Sequence, residues 1–588
     1  MNVWRSLAGF RGGRRMALVA LVAVLLLLFA WPVVMLFQGA FRSGAPGQPS
    51  HWELHGLLST FGSGATWRAV KNSLILSFSV TILSMTLGVL LAWIATRTTA
   101  PLRRLITPTM AFSLTMPPLF FSLGWVMLAN NANGSLNKLF DVIAGSSAQP
   151  LNIESWPGLI LLMGIFLCPV AYMLMRGPLE RVDGSLEEAA RMSGASSFKV
   201  FRSITLPVVA PALIGVAALQ LTGSFAAFDL PLLIGVPAHI LVFSTQIYTD
   251  LDSTFIPDYQ AASALSILLA LLVVGVLVIR ARLLGRRKFT TITGKGYRPQ
   301  PRDYGRIQWL FTAAFLFIAL IAFALPLAMI VLGSLQPLFG LYSHLTLNNY
   351  SEVFSTRTVM DSIRTTFILA IVGGFLGMML ATVIGYVGMR SSRRMRAFLQ
   401  AVTWMPWAIP GVVLGLAMIW AYVPVPVLKQ LYNTIFLLII GFVVEVTPIG
   451  SRAAEGALAQ VGEELEESAR VSGAGRVRTF FGIVMRLITP SFLAGWFLCA
   501  LFIAGDLSLP ILLASPTLQT SSVVAYNLYS NGSSAEAAAV FCVVTGIIVI
   551  GFVVLALIRL LLVGIIATRR RRTNSGKLAS RNLAQIAG

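Results

Sequence analysis

Long apolar segments alternate with short polar ones over most of the chain. Most of these segments run for about 18 residues or more with almost no charge, which is the length that an α-helix needs to cross a bilayer. The pattern therefore predicts an all-α integral membrane protein with about twelve transmembrane helices. The predicted spans are 16–37, 72–95, 105–129, 158–175, 208–235, 261–283, 308–334, 364–389, 399–423, 434–450, 489–514 and 538–565.

Composition and charge support a bilayer environment. Hydrophobic residues make up 56% of the 588 residues and charged residues only 11%, which excludes an ordinary soluble domain. A net charge of +22 would suit nucleic acid, but most Lys and Arg fall on one side of the membrane if the N-terminus is cytoplasmic. This is the positive-inside bias. We therefore expect both termini in the cytoplasm and no nucleic-acid partner.

A polar segment at 284–307, rich in Arg, Lys, Gly and Pro, divides two halves with similar patterns. In each half an arginine-rich stretch precedes a helix with a Met-Pro pair, at 116–117 and 405–406. A polar loop and an apolar helix with one acid follow in both halves. Six helices per half is an even number, so the repeat is expected to be parallel, with a pseudo-twofold axis along the membrane normal.

The two polar loops have matching patterns. In the first, Ser185 and Glu188 have the spacing of a capping box, which predicts the start of a helix, and Gly194 predicts its end. In the second loop Glu467 corresponds to Glu188 and Gly473 corresponds to Gly194. Both correspondences have the same offset of 279 residues. The first loop leads to Pro207, which we expect to open the next apolar segment. Both loops are predicted to dock on a soluble partner.

The first loop has the spacing Glu-Ala-Ala, three residues, Gly, nine residues, Ile-x-Leu-Pro. This resembles the cytoplasmic signature of the inner-membrane permeases of binding-protein-dependent ABC importers. The second loop departs from this pattern at Ser468, and at Met485-Arg486, where Leu-Pro is usual. The resemblance assigns coupling to an ATPase to Glu188, Ala189, Ala190, Gly194, Ile204, Leu206, Pro207, Glu467, Ser468, Ala469, Gly473 and Ile483.

The resemblance implies a type I importer in a bacterial inner membrane, with two copies of an ATP-binding subunit and a periplasmic substrate-binding protein as partners. The two transmembrane domains are expected at 68–282 and 361–563. An N-terminal tail, first helix and outside loop occupy 1–67, and a cytoplasmic linker, seventh helix and outside loop occupy 283–360. A basic cytoplasmic tail is expected at 564–588.

Fusion of both halves in one chain is similar to the ferric-iron and thiamine importers, and VFSTQIYTDL at 242–251 looks more like the ferric-iron group. The resemblance therefore implies ferric iron as the cargo. Where that family usually shows Glu-Leu-Pro, this chain has Asp-Leu-Pro at 229–231 and Asp-Leu-Ser at 506–508. Thiamine, a polyamine and a phosphonate remain alternative cargoes.

Asp229 and Asp506 are the candidate residues of a translocation path. A carboxylate near the membrane core is costly and usually faces a cavity or a partner. One interpretation places the pair on the path, where it favours a cation. The other places each acid near the outer interface, or as the cap of a broken helix before Pro231 or Pro510. Glu445 is a weaker candidate because the first half has no matching acid.

The chain has no sequence of the Walker A form G-x-x-x-x-G-K-[ST], no H-E-x-x-H and no nucleophile elbow. We therefore expect no enzymatic activity and no cofactor, with ATP hydrolysis on separate subunits. An ion-coupled secondary transporter, which also has twelve helices and a parallel repeat, is the alternative class.

The histidines fall in predicted outside loops without a three-ligand cluster, so no metal site is expected; they are His51, His55, His239 and His344.

Overall fold

A computed structural model describes residues 12–145, 150–252, 256–284, 301–342, 344–406 and 409–551. The regular elements of this described part are helices, joined by a few isolated β-bridges, and the all-α prediction is confirmed. The helices used below are α1 (Leu18–Gly39), α2 (Gly64–Arg97), α3 (Arg103–Ser113), α4 (Pro118–Ala129), α5 (Trp156–Glu180), α6 (Gly184–Met192), α7 (Phe198–Ala226), α8 (Tyr259–Leu283), α9 (Ile307–Ser334), α10 (Arg357–Met389), α11 (Arg393–Trp404), α12 (Gly411–Tyr422), α13 (Ile435–Leu458), α14 (Glu463–Val471), α15 (Val477–Gly505) and α16 (Ser534–Gly551).

Ten of these helices are long and apolar enough to cross a membrane within the described residues, and the number rises to eleven if the bent pair α3 and α4 is one span. Shorter helices lie between them, at His55–Gly62, Ser135–Ala144, Phe243–Asp252, Asn348–Ser355 and Ser521–Ser530. The end of the span predicted at 538–565, the tail at 564–588 and linker residues 285–300 lie outside the described residues.

The span predicted at 105–129 is not one straight helix, because α3 and α4 meet at 104°. Pro117 has an extended backbone and Pro118 begins α4. A proline has no N–H to donate and disfavours helical geometry in the residue before it, so two in succession break the helix rather than kink it. In the second half the span predicted at 399–423 is also divided, because α11 ends at Trp404 and α12 begins at Gly411.

Two further predicted spans, 208–235 and 489–514, end earlier than expected. Helix α7 ends at Ala226 and α15 at Gly505, and the next residues, Ala227 and Asp506, are extended. Short helical turns then begin at Pro231 and Pro510. Each half therefore has a helix break beside its acid, which hydropathy alone did not reveal.

The two halves have the same core of three packed helices, formed by α2, α5 and α7 in the first and by α10, α13 and α15 in the second. Glycines allow the closest approaches. A Cβ on Gly88 would lie 2.5 Å from the Cβ of Ala171, and one on Gly377 would lie 2.4 Å from a Cγ of Val446. Small residues at such crossings are a general device of membrane helix packing. This arrangement fits the two-fold repeat.

The helix preceding each core packs against the other half. Helix α1 lies on α12, where a Cβ on Gly39 would fall 2.4 Å from the Trp420 ring, and α9 lies on α4. Matching indole hydrogen bonds accompany these contacts, from Trp31 to the carbonyl of Ala421 (3.4 Å) and from Trp125 to the carbonyl of Ile321 (3.3 Å). The two halves are therefore interlocked by their first helices.

Candidate coupling site and translocation path

The two loops with matching patterns each form a short helix, α6 in the first half and α14 in the second. The predicted capping box of Ser185 and Glu188 is wrong. Asp183 is the N-cap of α6, and its carboxylate accepts a hydrogen bond from the Ser185 amide (3.0 Å). Asp183 caps because it is the extended residue before the helix, whereas Ser185 already lies inside the first turn. Helix α14 has no side-chain cap at Gly462.

Both helices end in a left-handed glycine, as the sequence predicts. Gly194 has φ +83° and Gly473 has φ +79°. The amide that follows each glycine donates to a carbonyl five residues earlier, that of Ala190 (3.1 Å) or Ala469 (2.9 Å). This pattern turns the chain sharply and satisfies carbonyls at the helix end. The departure at Ser468 therefore leaves the backbone course of the second loop like that of the first.

The outer faces of α6 and α14, together with the first residues of α7 and α15 that follow them, match closely. Glu188 and Glu467 are both exposed, and exposed apolar side chains recur at the same 279-residue offset. The most exposed of them are Met192 (90%), Val471 (90%), Phe198 (72%) and Val477 (72%). Exposed apolar side chains rimmed by charge are typical of a surface that another protein covers. Each half offers one such surface.

Pro207 lies in the first turn of the α-helical segment Leu206–Ala226, as the sequence predicts, and this segment continues without a gap from the earlier part of α7. A π-helical turn at Phe201–Thr205 precedes this proline, and the second half has the same turn at Phe480–Val484, where no proline follows. The turn is thus a feature of the repeat and not an effect of proline. Pro207 is exposed, and the other assigned residues here are half-buried: Ile204, Leu206 and Ile483.

The inner face of α6 is fixed by a buried glutamate that sequence reasoning missed. Glu187, directly before Glu188, lies 3.3 Å from Nη2 of Arg97 at the end of α2. Its carboxylate also accepts from the Thr205 hydroxyl (2.7 Å) and pairs with Arg191 (3.2 Å). The side chains of Arg97 and Glu187 are only 5% and 7% exposed. The pair therefore ties α6 to the core helix α2.

The second half repeats this arrangement with different neighbours. Glu466 lies 2.5 Å from Nη2 of Arg390, directly after α10, and accepts from the Tyr386 hydroxyl (2.9 Å). Arg390 also pairs with Glu463 (2.6 Å). Burial lowers the pKa of Arg390, but the hydrogen bond and charge of Glu466 outweigh it, so this pKa is raised and the guanidinium stays charged. The available sequence signal was the Glu-Glu pair in each loop and an arginine ending each matching helix.

The two candidate acids of the path lie at the helix breaks, and both are buried. Asp229 is 7% exposed, and its Oδ1 has no hydrogen-bond partner. Asp506 is 8% exposed and accepts from the Ser508 hydroxyl (2.8 Å) and the Leu509 amide (3.0 Å). The Asp506 carboxylate thus stabilises the turn between α15 and the short helix that begins at Pro510.

Glu445 joins these acids in space although its sequence position gave little reason to expect it. Its carboxyl group interacts electrostatically with both Asp506 and Asp229, and its Oε2 is buried without a partner. Gly505 packs against Pro117, so this region lies where the two halves meet. Within the described residues, no group of three or more His, Cys, Asp or Glu side chains is arranged as a metal site.

Comparisons with known proteins show the family to which this sequence is related. The family described as "Binding-protein-dependent transport system inner membrane component" matches residues 84–289 and 373–571. The ferric transport system permease protein FbpB of Actinobacillus pleuropneumoniae is 26% identical over 88% of this chain and 74% of its own length. A putative ferric transport permease FbpB 1 of Haemophilus influenzae is 26% identical over 82% of this chain and 75% of its own. The molybdenum permease ModB of Escherichia coli is 28% identical over 31% of this chain and 79% of its own.

Proposed function

Because the chain belongs to the family of binding-protein-dependent transport system inner membrane components, we propose that it is the permease subunit of an ABC import complex that carries ferric iron. The observation that supports this most is the pair of coupling helices, α6 and α14, with the same exposed surface in both halves. Two equal surfaces suit two copies of one ATP-binding subunit. A periplasmic binding protein delivers the cargo on the opposite side.

In this proposal the coupling helices and both termini lie in the cytoplasm. The residues assigned to coupling fall into two roles. Glu188 and Glu467 are exposed and face the partner, while Gly194 and Gly473 set the turn that ends each helix. Closure of the ATP-binding subunits then rocks the two halves about the path. The extra helices α1 and α9, which pack on the opposite halves, keep the halves together during this movement.

The buried acids favour a cationic cargo over an oxyanion. Asp229, Asp506 and Glu445 place three acidic side chains near one another where the halves meet, and a passing cation favours their ionised form whereas an oxyanion opposes it. The relatives named for ferric iron also cover most of this chain, whereas the molybdenum permease covers about a third of it. Ferric iron is therefore favoured over molybdate, and thiamine or a polyamine remains the cationic alternative.

The cargo is tested with the complex of this chain, its ATP-binding subunit and its binding protein in proteoliposomes. We expect ATP hydrolysis to rise when the binding protein carries ferric iron. In the control measurements the binding protein carries thiamine, a polyamine, a phosphonate or molybdate instead of ferric iron. Stimulation by one of these and not by iron would replace the cargo while keeping the machine. A chain that purifies without any ATP-binding subunit, and transports without one, would favour the secondary-transporter class instead.

A further inference from the structure

Each coupling helix turns one glutamate of a Glu-Glu pair outward and buries the other. Glu188 and Glu467 face outward, whereas Glu187 and Glu466 point inward to an arginine from a core helix. The two ion pairs, Arg97–Glu187 and Arg390–Glu466, hold corresponding positions in the repeat. Their other neighbours differ: Thr205 and Arg191 in the first half, Tyr386 and Glu463 in the second. The arginine–glutamate pair is thus common to two otherwise different surroundings.

We propose that these pairs are positioning links that transmit the movement of each coupling helix to the core of its half. This inference rests on the proposed function. Arg97 is the last residue of α2, and Arg390 directly follows α10. Both helices pack along their core partners, α5 and α13. A displacement imposed on the outer face of α6 or α14 therefore passes through the pair to the end of a long, rigid helix.

Burial makes these pairs suitable for this role. The side chains of Glu187 and Glu466 are 7% and 8% exposed, so each carboxylate is held away from water. Removing one partner of a buried pair leaves an uncompensated charge, whereas exposed pairs contribute little. Arg176–Glu180 in the same half is an exposed ion pair of short length (2.7 Å), with side chains 38% and 48% exposed. It provides a matched control.

The two arginines use their guanidinium groups differently. Arg97 makes its contacts through Nη2 alone, to Glu187 and to the carbonyls of Leu179 and Val182, while its Nε and Nη1 are buried without partners. Arg390 uses two nitrogens on two carboxylates, those of Glu463 and Glu466. A lysine supplies one charged nitrogen with three donors but no fork. We therefore expect a lysine at position 97 to keep the ion pair with Glu187, and a lysine at position 390 to lose one of the two ion pairs with Glu463 and Glu466.

The test measures the amount of cargo imported per ATP hydrolysed by the reconstituted complex. We expect Glu187→Gln and Glu466→Gln to keep the ATP-binding subunit bound and to keep hydrolysis within about twofold of wild type. Import per ATP should fall by about tenfold or more, within the usual range of coupling between two sites. Glu180→Gln should leave it unchanged. Arg97→Lys should retain most coupling, whereas Arg390→Lys should lose it.

Unchanged import per ATP in both glutamine variants would overturn the inference. If those variants fail to assemble, the two lysine variants decide, and equal import per ATP in Arg97→Lys and Arg390→Lys would also overturn it. Partial recovery in the charge-swapped chain Arg97→Glu with Glu187→Arg would support a direct link. A wild-type complex that shows no ATP-driven import would instead overturn the proposed function, on which the inference depends.

Discussion

Gly194 and Gly473 show how one residue type fixes the shape of both coupling loops. Both have positive φ, and a Cβ built on either one meets no atom within 4 Å. The constraint is therefore the backbone conformation and not the available space. Other L-residues pay about 1–2 kcal/mol in the left-handed region, and asparagine pays less.

We predict a graded loss of import at Gly194, in the order Asn, Ala and Val from mildest to most severe. The loss should follow left-handed propensity, because space is open at this position. The measurement is ATP-driven uptake together with the amount of ATP-binding subunit that copurifies. Gly223→Val is a control at a helical glycine that also has open space. Equal uptake in all three Gly194 variants would show that this turn has no part in coupling.

Asp229 is the residue for which stability and function should separate. Asp229 is buried, and Asn carries no charge that has to be desolvated, so Asp229→Asn should leave the free energy of unfolding unchanged or raise it by about 1–3 kcal/mol. If this carboxylate favours a cation in the path, uptake should nevertheless fall by about tenfold, equivalent to about 1.4 kcal/mol. Asp506→Asn, which disturbs bonds to Ser508 and Leu509, should lower stability. Wild-type uptake by Asp229→Asn would remove Asp229 from the path.

At the scale of elements, the exposed apolar faces of α6 and α14 should bind the ATP-binding subunit. We predict that Met192→Glu combined with Val471→Glu greatly reduces copurification of that subunit and leaves the melting temperature of the isolated chain unchanged. Both side chains are 90% exposed, so their replacement disturbs no internal packing. Val427→Glu, in a short turn between α12 and α13 and 76% exposed, is the control. Full copurification of the double variant would place docking elsewhere.

The crossing of α1 over α12 gives a second prediction at this scale. Gly39→Leu should destabilise the folded chain by about 1–3 kcal/mol, because a Cβ there falls 2.4 Å from the Trp420 ring. Gly275→Leu in α8, where a Cβ meets no atom within 4 Å, should have little effect. Thermal unfolding in detergent compares the two. Equal melting temperatures would show that α1 packs elsewhere.

The sequence was sufficient to locate most of the membrane helices. It was not sufficient to locate the breaks within these helices or to pair the side chains that contact each other. Hydropathy located the membrane helices because the bilayer demands about the same length of apolar residues from each. Hydropathy did not reveal the helix break at Asp229, because one acidic residue hardly changes the mean hydropathy of a long apolar segment. The cap at Asp183 was missed because Ser185 also fits the pattern, and only backbone geometry separates them. Pairs such as Arg97–Glu187 join residues far apart in sequence, which a single sequence does not reveal.

At the scale of the whole molecule, the proposed function assigns the repeat, the crossed extra helices, α6 and α14 to one importer with two driven halves. Each half has a core, a coupling helix linked to that core, and an acid at a helix break. Helices α1 and α9 lie on the opposite halves, so the halves are not independent bodies. An importer that rocks about a central path needs this combination of two driven parts and a shared frame.

The most direct test is uptake of radiolabelled ferric iron into proteoliposomes that contain this chain, its ATP-binding subunit and its binding protein. We expect uptake to require ATP inside the vesicles, on the side of the bilayer where the ATP-binding subunit docks on α6 and α14. This uptake should persist when the proton gradient is abolished. Glu188→Lys with Glu467→Lys should abolish it, because both carboxylates are exposed on the proposed docking surface. Uptake that continues without ATP and follows an imposed proton gradient would contradict the account.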